Sequence, residues 1–598
     1  MTDKRSTHIA RARTLAAASL TGVLVFLSFP HWNLVPLAYV AFVPLWFATE
    51  RASPRAAFFA GWWAGIITHL GGFHWIVGLL QIFGNLPWAI SAFGLLLLAT
   101  AQGLAFGLAT GSARWVSSRD ERWAPLVYPA ALVLFEAILP MIFPWRVGHS
   151  QWLFHAMGQA AALGGVGLIS ATIGGVNFAV LLGLRSLIQR NADVDVSLPN
   201  AHLRAAFFWP MLWVALLIYG VFSIRAVDAR IADARTLRIG IVEANIGVDI
   251  KAFNPAMADN LLTHQRMSVE LAEAGAELIV WPETAYQAIE PTPRQRERYV
   301  FTSAEVDTLE QARVLARTNW MLRRDVTWIP PSDTVPPAEA TTDVANSTRT
   351  ADVVVAQRGF RVPLLTGVIQ WSHLPPEERV GSPLPRIAGS GLDVHNSAIL
   401  LSEDGQVLGT YDKNLRMPFS EQLPLGQELY RWFGLNLYAM LPGAGHFHRG
   451  VPGEGLVLSH PDGDVRIGVS ICYEGIIPEL FRIAHRNSPD ILINITNDAW
   501  FGKTSEPYLH LALATFRSIE QRVMLVRSTN TGVSAFVDPV GRVVAQTSVD
   551  DAETLIYDVP LMRSTATPFM VLGDWPAMLS ALLLALSGPL SLRRSRAR

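Results

Sequence analysis

A single cysteine, Cys472, occurs in 598 residues, so no intrachain disulfide can form, and the lone thiol is either packing or a nucleophile. Charge is scarce too: Asp, Glu, Lys and Arg make up 16% of the chain, and the formal net charge is −1. A balance so close to zero offers no basic face to a phosphate backbone, which sets nucleic acid aside as a partner. What the chain has in abundance is apolar surface. Hydrophobic residues are 51% of the sequence and the mean hydropathy is positive, the signature of a membrane protein, and the length exceeds one ordinary domain.

Apolar runs approaching or exceeding the roughly 20 residues that cross a hydrocarbon core recur early in the chain. They fall near Thr14–Pro30, Leu34–Thr49, Ala56–Leu80, Leu86–Thr110, Ala124–Phe143, Leu163–Leu184 and Ala206–Ser223, and a last one, Met570–Leu592, closes the sequence. Lys4, Arg5, Arg11 and Arg13 precede the first run, but no small-residue cleavage site follows, so it reads as a retained span. Arg51 and Arg55, then Arg114, Arg119 and Arg122, then Arg185, Arg190 and Arg204 occupy alternate short loops, and Arg593, Arg594, Arg596 and Arg598 end the chain. The intervening loops carry only Arg146. Positive residues favour the cytoplasmic side, so eight spans with both termini cytoplasmic satisfy every short loop and put the long segment between spans seven and eight outside.

Within the spans, Gly103, Gly107 and Gly111 form overlapping small-xxx-small repeats that predict close helix packing. The Gly-Gly-Val-Gly run from Gly164 lacks the strand and helix context of a dinucleotide loop. Glu136, an ionisable group at membrane depth, predicts either a structural partner or a substrate contact.

From about Leu237 to Pro560 the composition becomes that of a globular domain long enough to bury its own core. Strand-like runs fall at Leu237–Val242, Leu278–Trp281, Leu364–Ile369, Val465–Ile471, Ile491–Ile495 and Val523–Arg527, with helical patterns between several of them. His395–Asp412 and Val533–Thr547 read as hairpins. The expectation is an α/β sandwich with mixed sheets. A polar, proline-rich piece from about Pro291 to Gly359 interrupts the order and reads as a tolerated surface insertion more readily than as an active-site lid.

Three reactive side chains end strands of this domain. Cys472, in Val-Ser-Ile-Cys-Tyr-Glu-Gly, sits where a strand gives way to a helical pattern, and a helix amino terminus nearby would favour its thiolate. Glu283 follows the strand Leu278–Trp281 in Trp-Pro-Glu-Thr, and Lys413 ends a hairpin strand in Tyr-Asp-Lys-Asn. On spacing alone Glu283 and Lys413 read as solvated surface charges more readily than as reactive groups. His446 and His448 have no third ligand at metal spacing, and His510 lies in a helical pattern that looks structural, so no metal site or cofactor is expected.

The segments Trp281-Pro-Glu-Thr, Tyr411-Asp-Lys, Ile471-Cys-Tyr-Glu and Thr496-Asn-Asp-Ala-Trp-Phe-Gly resemble the carbon–nitrogen hydrolase (nitrilase) superfamily, whose catalytic set is Glu, Lys and Cys in this order. Within it, Pro418-Phe-Ser-Glu-Gln-Leu-Pro, Arg527-Ser-Thr-Asn-Thr-Gly, Phe143-Pro-Trp, Gly148-His-Ser-Gln and Gly573-Asp-Trp-Pro look like the apolipoprotein N-acyltransferases. The resemblance implies a nitrilase-like αββα sandwich inserted between the helices of an eight-span membrane domain. The expected division is residues 1–225 for seven spans, 236–560 for the extracytoplasmic hydrolase domain with its insertion at 291–359, and 568–592 for the eighth span.

It implies Cys472 as nucleophile, Glu283 as general base and acid, and Lys413 as stabiliser of the anionic intermediate, with Glu421, Tyr473, Glu474 and Trp500 in supporting or substrate-binding places. The implied partners are a membrane phospholipid as acyl donor, a diacylglyceryl apolipoprotein as acceptor, and the bilayer of a bacterial inner membrane, with the catalytic domain periplasmic. Two departures stand out: the family commonly has Gln where Glu243 stands, and Lys-Trp where this chain has Lys251-Ala252 followed by Phe253. The alternatives are a membrane-tethered amidase of the same superfamily, or an inactive lipid-binding or transport protein.

Overall fold

The computed structural model describes residues 2–82, 84–191, 200–247, 257–285, 357, 359–373, 392–403, 405, 407–418, 421, 426–435, 447, 449–451 and 455–596. Most of the expected insertion, the departure at Lys251–Phe253, Asp404, His446 and His448 lie outside these residues.

Among the described residues, five helices are long and apolar enough to cross a membrane: α1 (Thr2–Leu27), α5 (Trp88–Ser117), α8 (Ala161–Asn191), α9 (Asn200–Ala232) and a C-terminal helix, Trp575–Arg596. A sixth is made if α3 (Pro54–Gly72) and α4 (Ile76–Ile82), bent by 56° at the break between them, count as one span. Two expected spans are covered by shorter pieces, and proline is the reason. The run from Leu34 divides into a 3-10 turn, Val35–Tyr39, and α2 (Val43–Thr49), each with a proline in its first turn, where the missing N–H costs nothing. The run from Ala124 is helical only as α6 (Ala124–Ile138), because Leu139 turns extended before Pro140. The glycine repeat of α5 does what its spacing predicts: a Cβ on Gly65 of α3 would lie 2.5 Å from the Gly103 carbonyl oxygen, and one on Gly107 would lie 2.9 Å from the Trp62 side chain. Glu136 takes the structural option, accepting from the Val147 amide at 2.9 Å.

The globular domain forms two six-stranded sheets. One runs in the order β12-β1-β2-β3-β4-β5 and the other β11-β10-β9-β8-β7-β6. In the first, β1 (Thr236–Glu243), β2 (Leu278–Val280) and β3 (Leu364–His373) are parallel, and β4 (Leu392–Leu401) and β5 (Val407–Asp412) continue antiparallel. In the second, β7 (Val465–Ile471), β8 (Ile491–Thr496) and β9 (Met524–Thr529) are parallel, with β6 (Leu456–Leu458), β10 (Ala535–Val537) and β11 (Val543–Gln546) antiparallel at the flanks. Residues of both sheets, among them Ile239, Val280, Leu400, Ile467, Ile493 and Val526, share one core, which makes the sheets a sandwich. The opposite faces are covered by helices: α10 (Met257–Glu273) on the first sheet, and α12 (Pro478–Ala484) with α13 (Glu506–Gln521) on the second, where α11 is the short helix Gly426–Phe433. The strands expected from the sequence are present to within a few residues at each end. β12 (Glu553–Pro560), which pairs antiparallel along the whole of β1, was not among them.

The sandwich and the membrane helices are joined by aromatic packing and a few polar ties. Trp75 meets Phe501 at 5.1 Å and Phe143 at 5.0 Å between ring centres, and Phe143 meets Tyr473 at 6.3 Å. Arg146 pairs with Asp574 at 2.5 Å, and Arg542 with Asp228 at 2.8 Å. A single hydrophobic cluster therefore runs from the helices into the sandwich, taking in Tyr473, Ile476, Phe501 and Phe516.

Candidate active site

The C-terminal ends of three strands in the two sheets converge on one place. Glu283 follows β2, Lys413 follows β5, and Cys472 follows β7. Each is held by its own strand end. The Trp281 indole donates to Ser268 Oγ at 2.8 Å, and the Lys413 amide donates to the Asn396 carbonyl at 2.8 Å. Thr284 and Cys472 both have φ of 53°, the left-handed region that non-glycine residues rarely occupy, so both turns are strained where they present Glu283 and Cys472. The turn carrying Glu283 lies so close to β3 that a Cβ on Gly367 would fall 2.6 Å from the Glu283 Cα and the Thr284 nitrogen; a side chain there would displace the carboxylate.

The charges are interlocked. Lys413 Nζ donates to Glu421 Oε1 at 2.8 Å and to Glu283 Oε1 at 3.4 Å, and Asn396 Nδ2 donates to the same two oxygens at 3.1 and 2.7 Å. Glu421 Oε2 accepts from the Met417 amide at 2.9 Å. Burial by itself would lower Lys413, but Glu421 and Glu283 together outweigh it and hold the ammonium well above the ordinary lysine range. Cys472 comes out the other way. Burial and then Glu283 raise its thiol, and Lys413 only partly opposes them, so the resting sulfur is protonated at neutral pH. The residues after Cys472 form a short 3-10 turn, Cys472–Ile476, in place of a helix whose amino terminus would favour the thiolate, and burial sets the balance. Of the charged groups acting on this thiol, the Glu283 carboxylate acts most strongly.

The four supporting residues divide. Glu421 sits in the charged cluster. Tyr473 faces Phe143 in the aromatic junction, and Trp500 borders the same hydrophobic cluster. Glu474 is spent on structure: Oε1 accepts from the amides of Asn414 and Leu415 at 2.5 and 2.8 Å, and Oε2 from the Ile471 amide and the Tyr411 hydroxyl at 2.8 and 3.0 Å. It thereby ties the Lys413 strand end to the Cys472 strand end. Asn396, which bridges Glu283 and Glu421, is the site residue that sequence reasoning missed; a mid-strand asparagine gives no signal. Glu243 is buried at the end of β1, where burial pushes its carboxyl up to about 7. Protonated, it has the shape and neutrality of the glutamine common in the resembling family.

Behind Cys472 lies a second buried network. Arg527 donates to Asp498 Oδ2 at 2.8 Å and to Asn494 Oδ1 at 2.6 Å, and Asn494 Nδ2 reaches the Cys472 carbonyl at 3.4 Å. His510 Nδ1 meets Asp498 Oδ1 at 3.1 Å, and Glu506 lies 3.7 Å from the same nitrogen. Asp498, Glu506 and His510 have the donor types for a metal, within 4.8 Å of one another. The guanidinium on Asp498 already balances its charge, and burial, with Asp498 beside it, drives Glu506 well above the carboxylate range, so the group fits an ionic brace better than a metal centre.

Residues 21–179 match the apolipoprotein N-acyltransferase N-terminal domain, and residues 331–569 match the carbon–nitrogen hydrolase family. Glu283 precedes the second match, although β1 and β2 belong to the same sheet as β3. Apolipoprotein N-acyltransferases of Geobacter metallireducens and Bdellovibrio bacteriovorus are each 28% identical, covering 92% and 95% of this chain and 90% and 92% of their own. That of Rhodopseudomonas palustris is 28% identical over 97% of this chain and 95% of its own. An amidase of the nitrilase superfamily from Nesterenkonia aligns at 17% identity with a TM-score of 0.30, covering 55% of this chain and 92% of that one, a likeness too low to carry an argument. With two family models matched in order and similarity over almost the whole length, this multi-pass membrane chain is similar throughout to the apolipoprotein N-acyltransferases.

Proposed function

We propose that the protein transfers an acyl chain from a membrane phospholipid, through a thioester on Cys472, to the α-amino group of the N-terminal diacylglyceryl-cysteine of an apolipoprotein. The observation that supports it is the position of Cys472. It borders two hydrophobic clusters at once, the core of the sandwich and the cluster that continues into the membrane helices. A nucleophile at that junction can meet a lipid ester without the lipid leaving the apolar phase.

Glu283 takes the Cys472 proton as sulfur attacks the ester carbonyl, and the oxyanion that forms is stabilised by the Lys413 ammonium. The carbon–oxygen bond breaks, and Glu283 returns the proton to the departing lysophospholipid alcohol. In the second half the amine attacks the thioester, Glu283 removes its proton, the carbon–sulfur bond breaks, and Cys472 regains its hydrogen as the amide is released. Glu421 and Asn396 keep Lys413 and Glu283 at their stations. This reading includes the seven-span domain of residues 1–225, the hydrolase domain of residues 236–560 on the periplasmic side of the bacterial inner membrane, and the closing span of 568–592.

Intact-mass measurement of the purified protein after incubation with phospholipid tests it. An acyl-sized increase in wild type, absent from Cys472→Ala and removed by a diacylated lipopeptide, is expected. Absence of the adduct in wild type would refute the thioester route.

A further inference from the structure

A cleft of about 750 Å³ opens at the end of the membrane helices opposite the sandwich. Its walls place it there: α6 starts at it and ends near the aromatic junction, α8 begins against the sandwich side and reaches the cleft in its last turns, and α9 starts at it and runs toward β1. Among the described residues, four arginines from three stretches face the space, Arg51, Arg114 with Arg119, and Arg185, against two glutamates, Glu50 and Glu121.

The acids are both taken by one arginine. Arg185 meets Glu50 at 3.0 Å and Glu121 at 3.3 Å. Arg114 is directed at neutral groups, with Nε on the Ala52 carbonyl at 2.9 Å and Nη1 on Ser117 Oγ at 3.4 Å. Arg119 lies over the Trp115 ring at 4.3 Å, and Arg51 is exposed. The described residues of the cleft thus carry an excess of positive charge over a partly apolar floor that includes Phe178 and Tyr128.

We propose that this cleft binds the phosphate of an anionic phospholipid headgroup. Basic pockets between membrane helices suit such a headgroup, because the phosphate replaces water at several guanidinium groups while the acyl chains stay in the bilayer. The lipid is favoured over a soluble phosphate by the outer wall. Ile188, which lines the cleft, is 47% exposed, and its neighbour Leu187 and Phe207 of α9 are 61% and 69% exposed, so the opening lies beside an acyl-facing surface. The site is separate from the one around Cys472 and does not depend on the acyl-transfer reading.

Native mass spectrometry of full-length protein carrying Cys472→Ala, which removes turnover, tests the assignment with phosphatidylglycerol, phosphatidylcholine and inorganic phosphate as probes. Phosphatidylglycerol should be retained at least about tenfold more tightly than phosphatidylcholine, which has no net charge to match the excess. Arg51→Ala, at an exposed position, and Arg119→Ala should each weaken retention about fivefold, with Arg51→Lys largely restoring it. Equal retention of the two lipids, or retention unchanged in both alanine variants, would overturn the site. Competition by inorganic phosphate as effective as that of the lipid would overturn the lipid assignment in favour of a soluble anion.

Discussion

Two buried ionic groups flank the end of the Cys472 strand, and they are built differently. On the first sheet, Lys413 faces two carboxylates that share the donor Asn396, and all three charges act electrostatically on the thiol. On the second, Arg527 is fully buried and fixed on Asp498 and Asn494, with His510 closing the other side of Asp498 and Glu506 left without a hydrogen bond on either oxygen. The first arrangement surrounds the thiol with a cation and two carboxylates, which is what the proposed reaction requires. The second fixes Arg527 and Asp498 on each other and, through Asn494, holds the Cys472 carbonyl, while both Glu506 oxygens stay unpaired. Burial is common to both groups, so what separates them is the neighbour each one has: the thiol for the first, the Cys472 backbone for the second.

Substitutions on the two sides should separate catalysis from stability. Cys472→Ala should abolish both the acyl adduct and amide formation, with thermal unfolding close to wild type, as read by mass spectrometry and calorimetry. Glu283→Gln, which keeps the shape and the Asn396 contact but loses the base, should lower turnover by about 100 to 10,000-fold. Lys413→Met should cost at least about 100-fold in rate and destabilise as well, since Glu283 and Glu421 would be left side by side without their cation. Arg527→Met should act on stability first, costing about 3–5 kcal/mol because Asp498 stays buried without its partner. If Arg527→Met instead left the fold intact and removed activity, the distinction between the two groups would fail.

Glu506→Gln should have the smallest effect, within about 1 kcal/mol at neutral pH, since a buried neutral acid and an amide are close in shape. Its pH dependence carries the sign. The folded-state pKa of Glu506 is raised by burial, so the group's contribution is intact below the ordinary carboxylate pKa and is lost as pH rises toward the folded value. Denaturant unfolding at several pH values should show wild type losing stability above about pH 4.5 and the Gln variant losing less.

Much of this was legible in the sequence. Glu283, Lys413 and Cys472 each end a strand, and strand ends can be read from local patterns and short motifs. Asn396 could not be, because its role depends on the pairing that sets β4 beside β5 and faces it to two carboxylates from elsewhere in the chain. The protonated state of Cys472 was equally out of reach, being set by surroundings that include the membrane half. Hydropathy also ran smoothly through Leu34–Thr49 and past Ile138, where Pro36, Pro44 and Pro140 divide or stop the helices. The edge strand β12 reaches β1 from some 300 residues away, and no local pattern announces such a pairing.

The central claim is that an acyl group on Cys472 is passed to an amine and kept from water by its place at the apolar junction. A single-turnover experiment measures this directly: load the protein in bilayer discs with phospholipid bearing a labelled acyl chain, add diacylated lipopeptide, and quantify the label in amide and in free fatty acid. The account predicts label on Cys472 first and then predominantly in the lipopeptide amide. Label released mainly as fatty acid, at a rate the lipopeptide does not change, would contradict it and describe a membrane-bound hydrolase.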